Sequence, residues 1–177
     1  NASHELDFSF GKKDRTFVVN ASVFSRKEKD VFVYNWDNRK FLNVESNKVK
    51  GVELGVQYHF NEKVNVGGNF SFAEKDNPAT RLRSPKQRAN AFLEILPIKN
   101  NRINISYQYT SKRYDSSSFS TKNVELEAFH LFNLNINQKI TKSLDTYLNV
   151  GNVLNTSYTD VIGYTTKPRN ITLGVEY

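Results

Sequence analysis

The sequence contains no cysteine, only one tryptophan and no long apolar run. The lack of cysteine excludes disulfides and thiolate metal sites. No stretch approaches the roughly 20 apolar residues of a transmembrane helix, which leaves open a strand barrel, whose strands are apolar on one face only. No basic segment with an apolar core follows Asn1. We therefore expect a mature protein or a piece of one, without a signal peptide.

The residues that are abundant favour β-structure. The 177 residues include 13 Phe and 9 Tyr, and an aromatic fraction of 13% argues against disorder. Aromatic residues of this kind are typical of strands. The apolar fraction of 38% and the mean hydropathy of −0.60 would by themselves suggest a water-soluble protein.

The net charge of +7 raises the question of a nucleic-acid partner. The Lys and Arg residues are scattered through turns and loops, for example at Lys12, Lys86 and Lys142. No basic helix or basic–aromatic stripe is present, so the clustered footprint of a nucleic-acid-binding protein is missing. We expect no nucleic-acid partner.

A strict period of two recurs along the chain. In segment 52–60, every even position is apolar or aromatic, while the odd positions are Glu, Gly, Gln and His. The same alternation appears around residues 6–10, 17–23, 64–72, 89–95, 103–109, 130–136, 144–150 and 171–177. Alternation of this kind predicts strands with two different faces. It falters at Arg26–Asp30.

We count about nine strands, several near the length of a membrane-spanning strand. Tight turns are predicted at 11–14, 61–63, 97–101 and 141–143, and longer polar segments at 36–46, 76–85, 115–125 and 156–167. Short turns on one rim and long loops on the other are typical of outer-membrane barrels. The polar face carries mainly uncharged groups, which suit a lumen better than a water-facing sandwich. We therefore predict an all-β fold, an antiparallel up-and-down transmembrane barrel; the competing interpretation is a soluble β-sandwich.

Several segments resemble TonB-dependent outer-membrane receptors. The Lys-Gly-Val-Glu at 50–53 resembles a strand opening of that family, and 82–88 resembles its Leu-x-Arg-x-Pro stretch. The stretch 149–158 resembles the Asn-Leu-Phe segment of the penultimate strand, and 163–170 with Tyr177 resembles the end of the barrel. The details at 108–115 and 163–169 are most similar to cobalamin and ferric-siderophore receptors. The resemblance covers almost the whole chain, and the matching segments follow one another in the same order as in the family.

The resemblance implies a 22-stranded barrel around an N-terminal plug, which imports a ligand with force delivered by TonB. We therefore expect residues 1–177 to be the C-terminal portion of the barrel, with about nine of its strands and without the plug. TonB would then be reached only through the missing plug region. The function implied is uptake of cobalamin or a ferric siderophore across the outer membrane of a Gram-negative bacterium. The alternative is a small self-contained barrel with a structural or adhesion role.

Candidate ligand-binding residues lie at the predicted extracellular rim. Arg side chains pair with anionic groups and aromatic rings stack on flat ligands, which selects Tyr34, Trp36, Arg81, Arg83, Arg113, Tyr114 and Tyr164. The competing interpretation is an interfacial belt that meets membrane lipid and lipopolysaccharide headgroups. His4, His59 and His130 lie on different strands, and no catalytic constellation is evident. We therefore predict no enzyme, no cofactor and no metal site.

The last strand, 169–177, carries a period-two row that ends in an aromatic residue. This row resembles the signal recognised by the barrel-assembly machinery, which we expect as a further partner. Its members are Ile171, Leu173, Val175 and Tyr177.

Overall fold

The computed structural model describes residues 2–11, 17–35, 38–116 and 123–177. Most of these residues are in strands, and the described part contains a single 3-10 turn at Pro78–Thr80. The strands are β1 (Ala2–Gly11), β2 (Phe17–Asn35), β3 (Lys40–Asn61), β4 (Val64–Lys75), β5 (Gln87–Ile95), β6 (Asn101–Thr110), β7 (Arg113–Ser116), β8 (Asn123–Leu126), β9 (Phe129–Lys139), β10 (Asp145–Gly151) and β11 (Asn170–Glu176). None of the described residues form a helix of the length and apolarity needed to cross a membrane.

Nine of these strands form one antiparallel sheet in the order β1-β2-β3-β4-β5-β6-β9-β10-β11. The up-and-down topology and the count of nine agree with the prediction. β7 and β8 form a separate hairpin in the connection between β6 and β9. In the described sheet β1 and β11 are edge strands and do not pair with each other, so it does not form the small self-contained barrel considered as the alternative.

The register aligns the apolar residues of all nine strands on one face. Val52, for example, lies opposite Val23 on β2 and Phe72 on β4. Other outward pairs of apolar residues are Leu93–Ile105, Ile105–Leu134 and Leu148–Leu173. We call this the outward face. Its side chains are exposed, for example Phe60 at 63% and Leu173 at 77%.

Apolar burial is almost absent. Among the described residues only Val49, Leu126 and Phe129 are buried apolar side chains, and all three lie near one rim of the sheet. A soluble sandwich needs two apolar faces packed against each other. A sheet that exposes its apolar face instead fits a lipid environment, so the sandwich interpretation is excluded.

The opposite face, which we call the inner wall, carries mainly polar side chains. One row across the sheet contains Asn20, Gly55, Asn69, Asn90 and Gln108. The Asn90 side-chain amide donates to Asn69 Oδ1 at 3.0 Å. A trough of about 410 Å³ lies along this row. This row presents amide donors and acceptors, and the neighbouring row on the same face contains the charged residues Asp7, Glu53 and Arg88.

Gly51 on the inner wall sits beneath an aromatic ring. It pairs across the strands with Phe24, whose ring occupies the space that a Cβ atom at position 51 would need. The same Cβ would lie 2.5 Å from the carbonyl oxygen of Phe72. At Gly55, four residues along β3, the nearest atoms belong to Asn20, at 3.9 Å. Position 51 thus requires glycine for steric reasons, whereas position 55 does not.

The turns at 61–63, 97–101 and 141–143 are confirmed within a residue or two, and 11–14 falls mostly outside the described residues. The prediction of a loop over 36–46 is wrong, since β3 begins at Lys40. β2 also runs without a break through Arg26–Asp30, where only Asp30 has a positive φ, of 55°. Residues 40–46 form a strand because their backbone pairs with β2. This part of the hairpin lies outside the bilayer, so it does not need a row of apolar side chains.

The long connection predicted at 115–125 likewise contains strand at both ends, in β7 and β8. Segments 76–86 and 152–169 are irregular, as predicted.

Candidate functional site

Three connections at the rim opposite the tight turns contact one another. They are residues 76–86, 111–128 and 152–169, of which 117–122 lie outside the described part; we call them the rim loops. Leu82 forms a parallel bridge with Tyr114, and the Arg83 amide donates to the Tyr114 carbonyl at 2.7 Å. The first two rim loops are thereby joined by backbone contacts.

Arg113 joins the second rim loop to the third. Its side chain is 3% exposed, and Nη2 donates to the carbonyls of Thr159 (2.8 Å) and Asp160 (2.9 Å). The same nitrogen contacts the Asp160 carboxylate at 2.8 Å. The guanidinium also lies 5.2 Å from the centre of the Phe129 ring, a cation–π distance. Arg113 is therefore largely occupied in holding the loops together.

Asp115 joins all three rim loops. Its side chain has no exposed surface, and Oδ1 accepts from Arg83 Nε at 2.7 Å and from the Ser116 amide at 2.8 Å. Oδ2 accepts from the Ile162 amide at 2.9 Å. Burial alone would raise the pKa of Asp115, but the hydrogen bonds from Ile162, Arg83 and Ser116 outweigh it and hold that pKa below its usual value.

The lowered pKa of Asp115 makes the closed loops acid-sensitive. The charged form stabilises them fully above the ordinary Asp value of 3.8, and this stabilisation is lost as the pH falls through the lower folded-state pKa. The protection of amides 111–116 and 159–164 against hydrogen exchange, relative to the intrinsic rate at each pH, should therefore fall once the pH drops below 3.8. An Asp115→Asn variant should lack this acid step, and an unchanged acid step in that variant would contradict the assignment.

The β7–β8 hairpin carries its own ion pairs at its base. Lys112 Nζ contacts Glu125 at 3.0 Å and Glu127 at 3.3 Å. The hydrogen bonds to Glu125 and Glu127 raise the pKa of Lys112, and the bond from Lys112 lowers the pKa of Glu125. Since these side chains are exposed, their contribution to stability is small.

Asn152 shapes the start of the third rim loop. It is 5% exposed and has a positive φ of 51°. Its amide donates to Asn133 Oδ1 at 3.0 Å, and its own Oδ1 accepts from the Thr156 amide at 2.8 Å. Further along the loop the Tyr158 ring packs against Phe129 at 4.5 Å. The residues that resemble the family's Asn-Leu-Phe segment thus have a structural role here.

The β2–β3 hairpin extends beyond its neighbours. β1 pairs with β2 only as far as Lys27, and β4 pairs with β3 only as far as Val49. In the projecting part, the register places Phe32, Tyr34 and Phe41 on the same face as the inner wall. Tyr34 and Phe41 meet edge to face at 5.2 Å, while Phe32 is 69% and Phe41 71% exposed. We call these three residues the hairpin aromatics.

The residues predicted to bind ligand fall into different environments. Tyr114 and Tyr164 are 46% and 75% exposed. The Arg83 side chain is half-exposed while bound to Asp115. Arg81 donates to the carbonyls of Lys75 and Asp76. Trp36 lies outside the described residues, and ligand binding by the whole set stays a prediction.

The structure brings together Arg83, Arg113 and Tyr114, and it places Tyr34 on the separate projecting hairpin. Sequence reasoning missed Phe32 and Phe41, because apolar and polar residues do not alternate around them. It also missed that Asp115 and Asp160 serve as loop anchors. No spacing along the chain predicts those contacts, because the partners are 32 to 47 residues apart.

The predicted assembly row lies on the outward face of β11. Ile171, Leu173 and Val175 pair with Val150, Leu148 and Thr146 of β10 and are 65–77% exposed. Tyr177 follows the strand and is fully exposed. Recognition of this row by the assembly machinery stays a prediction. Within the described ranges, no three His, Asp or Glu side chains converge as metal ligands.

Comparison with known proteins explains this architecture. Residues 2–153 match the family model "TonB dependent receptor-like, beta-barrel". The chain is similar to the vitamin B12 transporter BtuB of Vibrio cholerae, with 25% identity over 161 residues, which is 87% of this chain and 26% of the relative.

Solved structures share the fold. The ferripyoverdine receptor of Pseudomonas aeruginosa aligns with a TM-score of 0.78 at 16% identity, over 99% of this chain and 26% of that one. The ferric-catecholate import receptor Fiu of Escherichia coli aligns with a TM-score of 0.77 at 16% identity, over 98% and 27%. The iron transporter FrpB of Neisseria meningitidis aligns with a TM-score of 0.74 at 23% identity, over 99% of this chain and 30% of that one.

The chain therefore spans about a quarter of the length of the relatives that it matches. These relatives are receptors and transporters, and barrels of this family lie in the outer membrane of Gram-negative bacteria. The open nine-stranded sheet, its exposed apolar face and the family match agree: the chain belongs to the TonB-dependent receptors and forms part of their outer-membrane barrel.

Proposed function

We propose that residues 1–177 are the C-terminal part of the barrel of a transporter, not an enzyme, that takes up cobalamin or a ferric siderophore. The observation that carries this proposal is the set of interlocked rim loops above a polar inner wall, in a chain whose relatives carry these ligands. The plug would belong to the part of the receptor outside residues 1–177, and TonB would act through it.

The ligand would meet two surfaces at the rim. The first consists of the hairpin aromatics, which stand above the inner wall. The second consists of the exposed rings of Tyr114 and Tyr164 beside the half-exposed Arg83. Aromatic faces suit the flat parts of such ligands, and an Arg suits an anionic siderophore. Arg113 would act as a positioning residue, and Arg81 and Trp36 remain candidates.

The function is tested by uptake in cells. The complete receptor is expressed in a strain that lacks its own cobalamin and siderophore receptors. Growth is measured with limiting cobalamin, or with limiting iron and a panel of ferric siderophores. We expect growth on at least one ligand that is lost when TonB is deleted. Growth on none of these ligands, with the receptor present at the surface, would overturn the proposal.

The hairpin aromatics provide a second test. The double variant Phe32→Ala/Phe41→Ala should weaken ligand binding by about tenfold or more, because each lost aromatic contact contributes roughly 0.5–1.5 kcal/mol beyond its buried area. Leu42→Ala is the matched control, since Leu42 lies on the same hairpin but on its outward face. Equal affinities of the two variants, measured by titration of the purified receptor, would exclude the hairpin from the ligand site.

Membrane lipid, lipopolysaccharide and the barrel-assembly machinery are the other proposed partners. The exposed apolar face supports membrane lipid as a partner, and the apolar row on β11 supports the barrel-assembly machinery.

A further inference from the structure

The projecting part of the β2–β3 hairpin begins at one residue pair. β1 pairs with β2 only as far as Lys27, and β4 pairs with β3 only as far as Val49. Glu28 and Asn47 lie directly opposite each other just beyond these limits. From this pair onward the described part of the sheet is two strands wide. A two-stranded ribbon is marginally stable and twists easily, so the direction of the hairpin depends on what holds its base.

Asn47 joins this base to the first rim loop. It lies on the inner-wall face of β3 and has no exposed surface. Its Nδ2 donates to Glu28 Oε2 at 2.7 Å. Its Oδ1 accepts from the Thr80 hydroxyl at 3.0 Å, and that hydroxyl has the Asn77 carbonyl as a second acceptor at 2.9 Å. One buried side chain therefore contacts both a strand of the projecting hairpin and the 3-10 turn of the loop.

The groups on both sides of Asn47 are themselves held in place. Glu28 Oε1 accepts from Arg26 Nε at 2.8 Å. The hydrogen bond from Asn47 outweighs burial and, together with Arg26, holds the pKa of Glu28 below its usual value. On the loop side, the Asp76 amide donates to the Lys48 carbonyl at 3.0 Å, and the Asp76 carboxylate accepts from the Lys48 amide at 2.7 Å. Asn47 thus connects a fixed carboxylate to a fixed loop.

We propose that Asn47 is a positioning residue for ligand capture, which fixes the angle between the projecting hairpin and the rim loops. The inference rests on the proposed function, in which the hairpin aromatics and the rim loops hold one ligand. Phe41 lies six residues along β3 from Asn47, which is about 20 Å at roughly 3.3 Å per residue. A tilt of about 10° at the base would therefore move this ring by about 3–4 Å. A displacement of that size removes an aromatic ring from contact with a ligand held by the loops.

The angle is tested first without ligand. Spin labels are attached through Lys40→Cys on the hairpin and Thr165→Cys on the third rim loop of the complete receptor, and their distance distribution is measured by pulsed electron paramagnetic resonance. Asn47→Asp should broaden the distribution, because its carboxylate faces the carboxylate of Glu28. Adding Glu28→Gln should restore the narrow distribution, because the new amide can donate to the new carboxylate.

Glu28→Gln alone is the matched control, since its amide oxygen still accepts from Asn47, and it should leave the distribution narrow. Heat-modifiable mobility on gels confirms that each variant is folded. A folded Asn47→Asp variant with the wild-type distribution, or a double variant that stays broad, would overturn the inference whichever ligand the receptor carries.

Affinity then tests whether the angle matters for capture. The purified variants are titrated with cyanocobalamin and with the ferric siderophores of the uptake panel. Asn47→Asp should weaken binding about tenfold, as expected for one lost hydrogen bond to a charged group. In the Phe32→Ala/Phe41→Ala background it should weaken binding by less than about twofold, because the rings that it positions are gone. A tenfold loss in both backgrounds would show that Asn47 does not act through the hairpin. Binding of none of these ligands to wild type would overturn the proposed function, and the positioning role with it.

Discussion

The Gly51→Ala variant is expected to destabilise the barrel by about 1–3 kcal/mol, the usual cost of overpacking a filled site. The new methyl group would push against the Phe24 ring and the Phe72 carbonyl oxygen, 2.5 Å away. Gly55→Ala is the matched control on the same strand and face. Its methyl group has 3.9 Å of space, so we expect neutrality or a gain of about 0.4–1 kcal/mol from the restricted unfolded chain.

The measurement is urea-induced unfolding of the complete receptor in lipid vesicles, followed by gel mobility. A second variant identifies the cause: adding Phe24→Ala to Gly51→Ala removes the ring but leaves the carbonyl, so only part of the lost stability should return. If Gly51→Ala and Gly55→Ala unfold at the same urea concentration, the steric argument fails.

The Asp115→Asn variant should release the rim loops. An amide has one oxygen, so it can accept either from Ile162 or from Arg83 and Ser116, and its NH₂ group would face the remaining donors. Hydrogen bonds to a charged group contribute about 1.5–3 kcal/mol each, and the side chain is fully buried. We expect opening of the loops to become easier by several kcal/mol and ligand uptake to fall with it.

Asp160→Asn serves as the control for that experiment. Its carboxylate is 64% exposed, and Arg113 still holds the carbonyls of Thr159 and Asp160. Hydrogen exchange of amides 159–164 should therefore rise far less than in Asp115→Asn. Equal exchange in both variants would show that Asp115 does not hold the loops.

Alternation was sufficient to predict the fold because a membrane sheet separates its two faces along every strand. The row from Val52 to Phe60 is readable without any tertiary information, and so are the tight turns. Alternation fails outside the bilayer. The projecting part of β2 and β3 has no lipid to face, so backbone pairing alone keeps it in strand, and the sequence there looks like a loop.

The site was harder to predict for a related reason. Arg113 was correctly placed at the rim, but its burial depends on Asp160, which is 47 residues away. Likewise the role of Asp115 depends on Arg83 and Ile162 from two other loops. Such contacts follow from how loops fold over one another, and local chemistry does not encode them.

The amide side chains of the inner wall have a consequence for the transport proposed above. Each Asn side chain offers both a donor and an acceptor, and Asn133, Asn135 and Asn137 repeat the same groups at every second position along β9. A polar ligand that moved along this strand would exchange each hydrogen bond for an equivalent one at the next step. In the proposed transporter, this stretch of the wall would therefore hold a passing ligand about equally at each position.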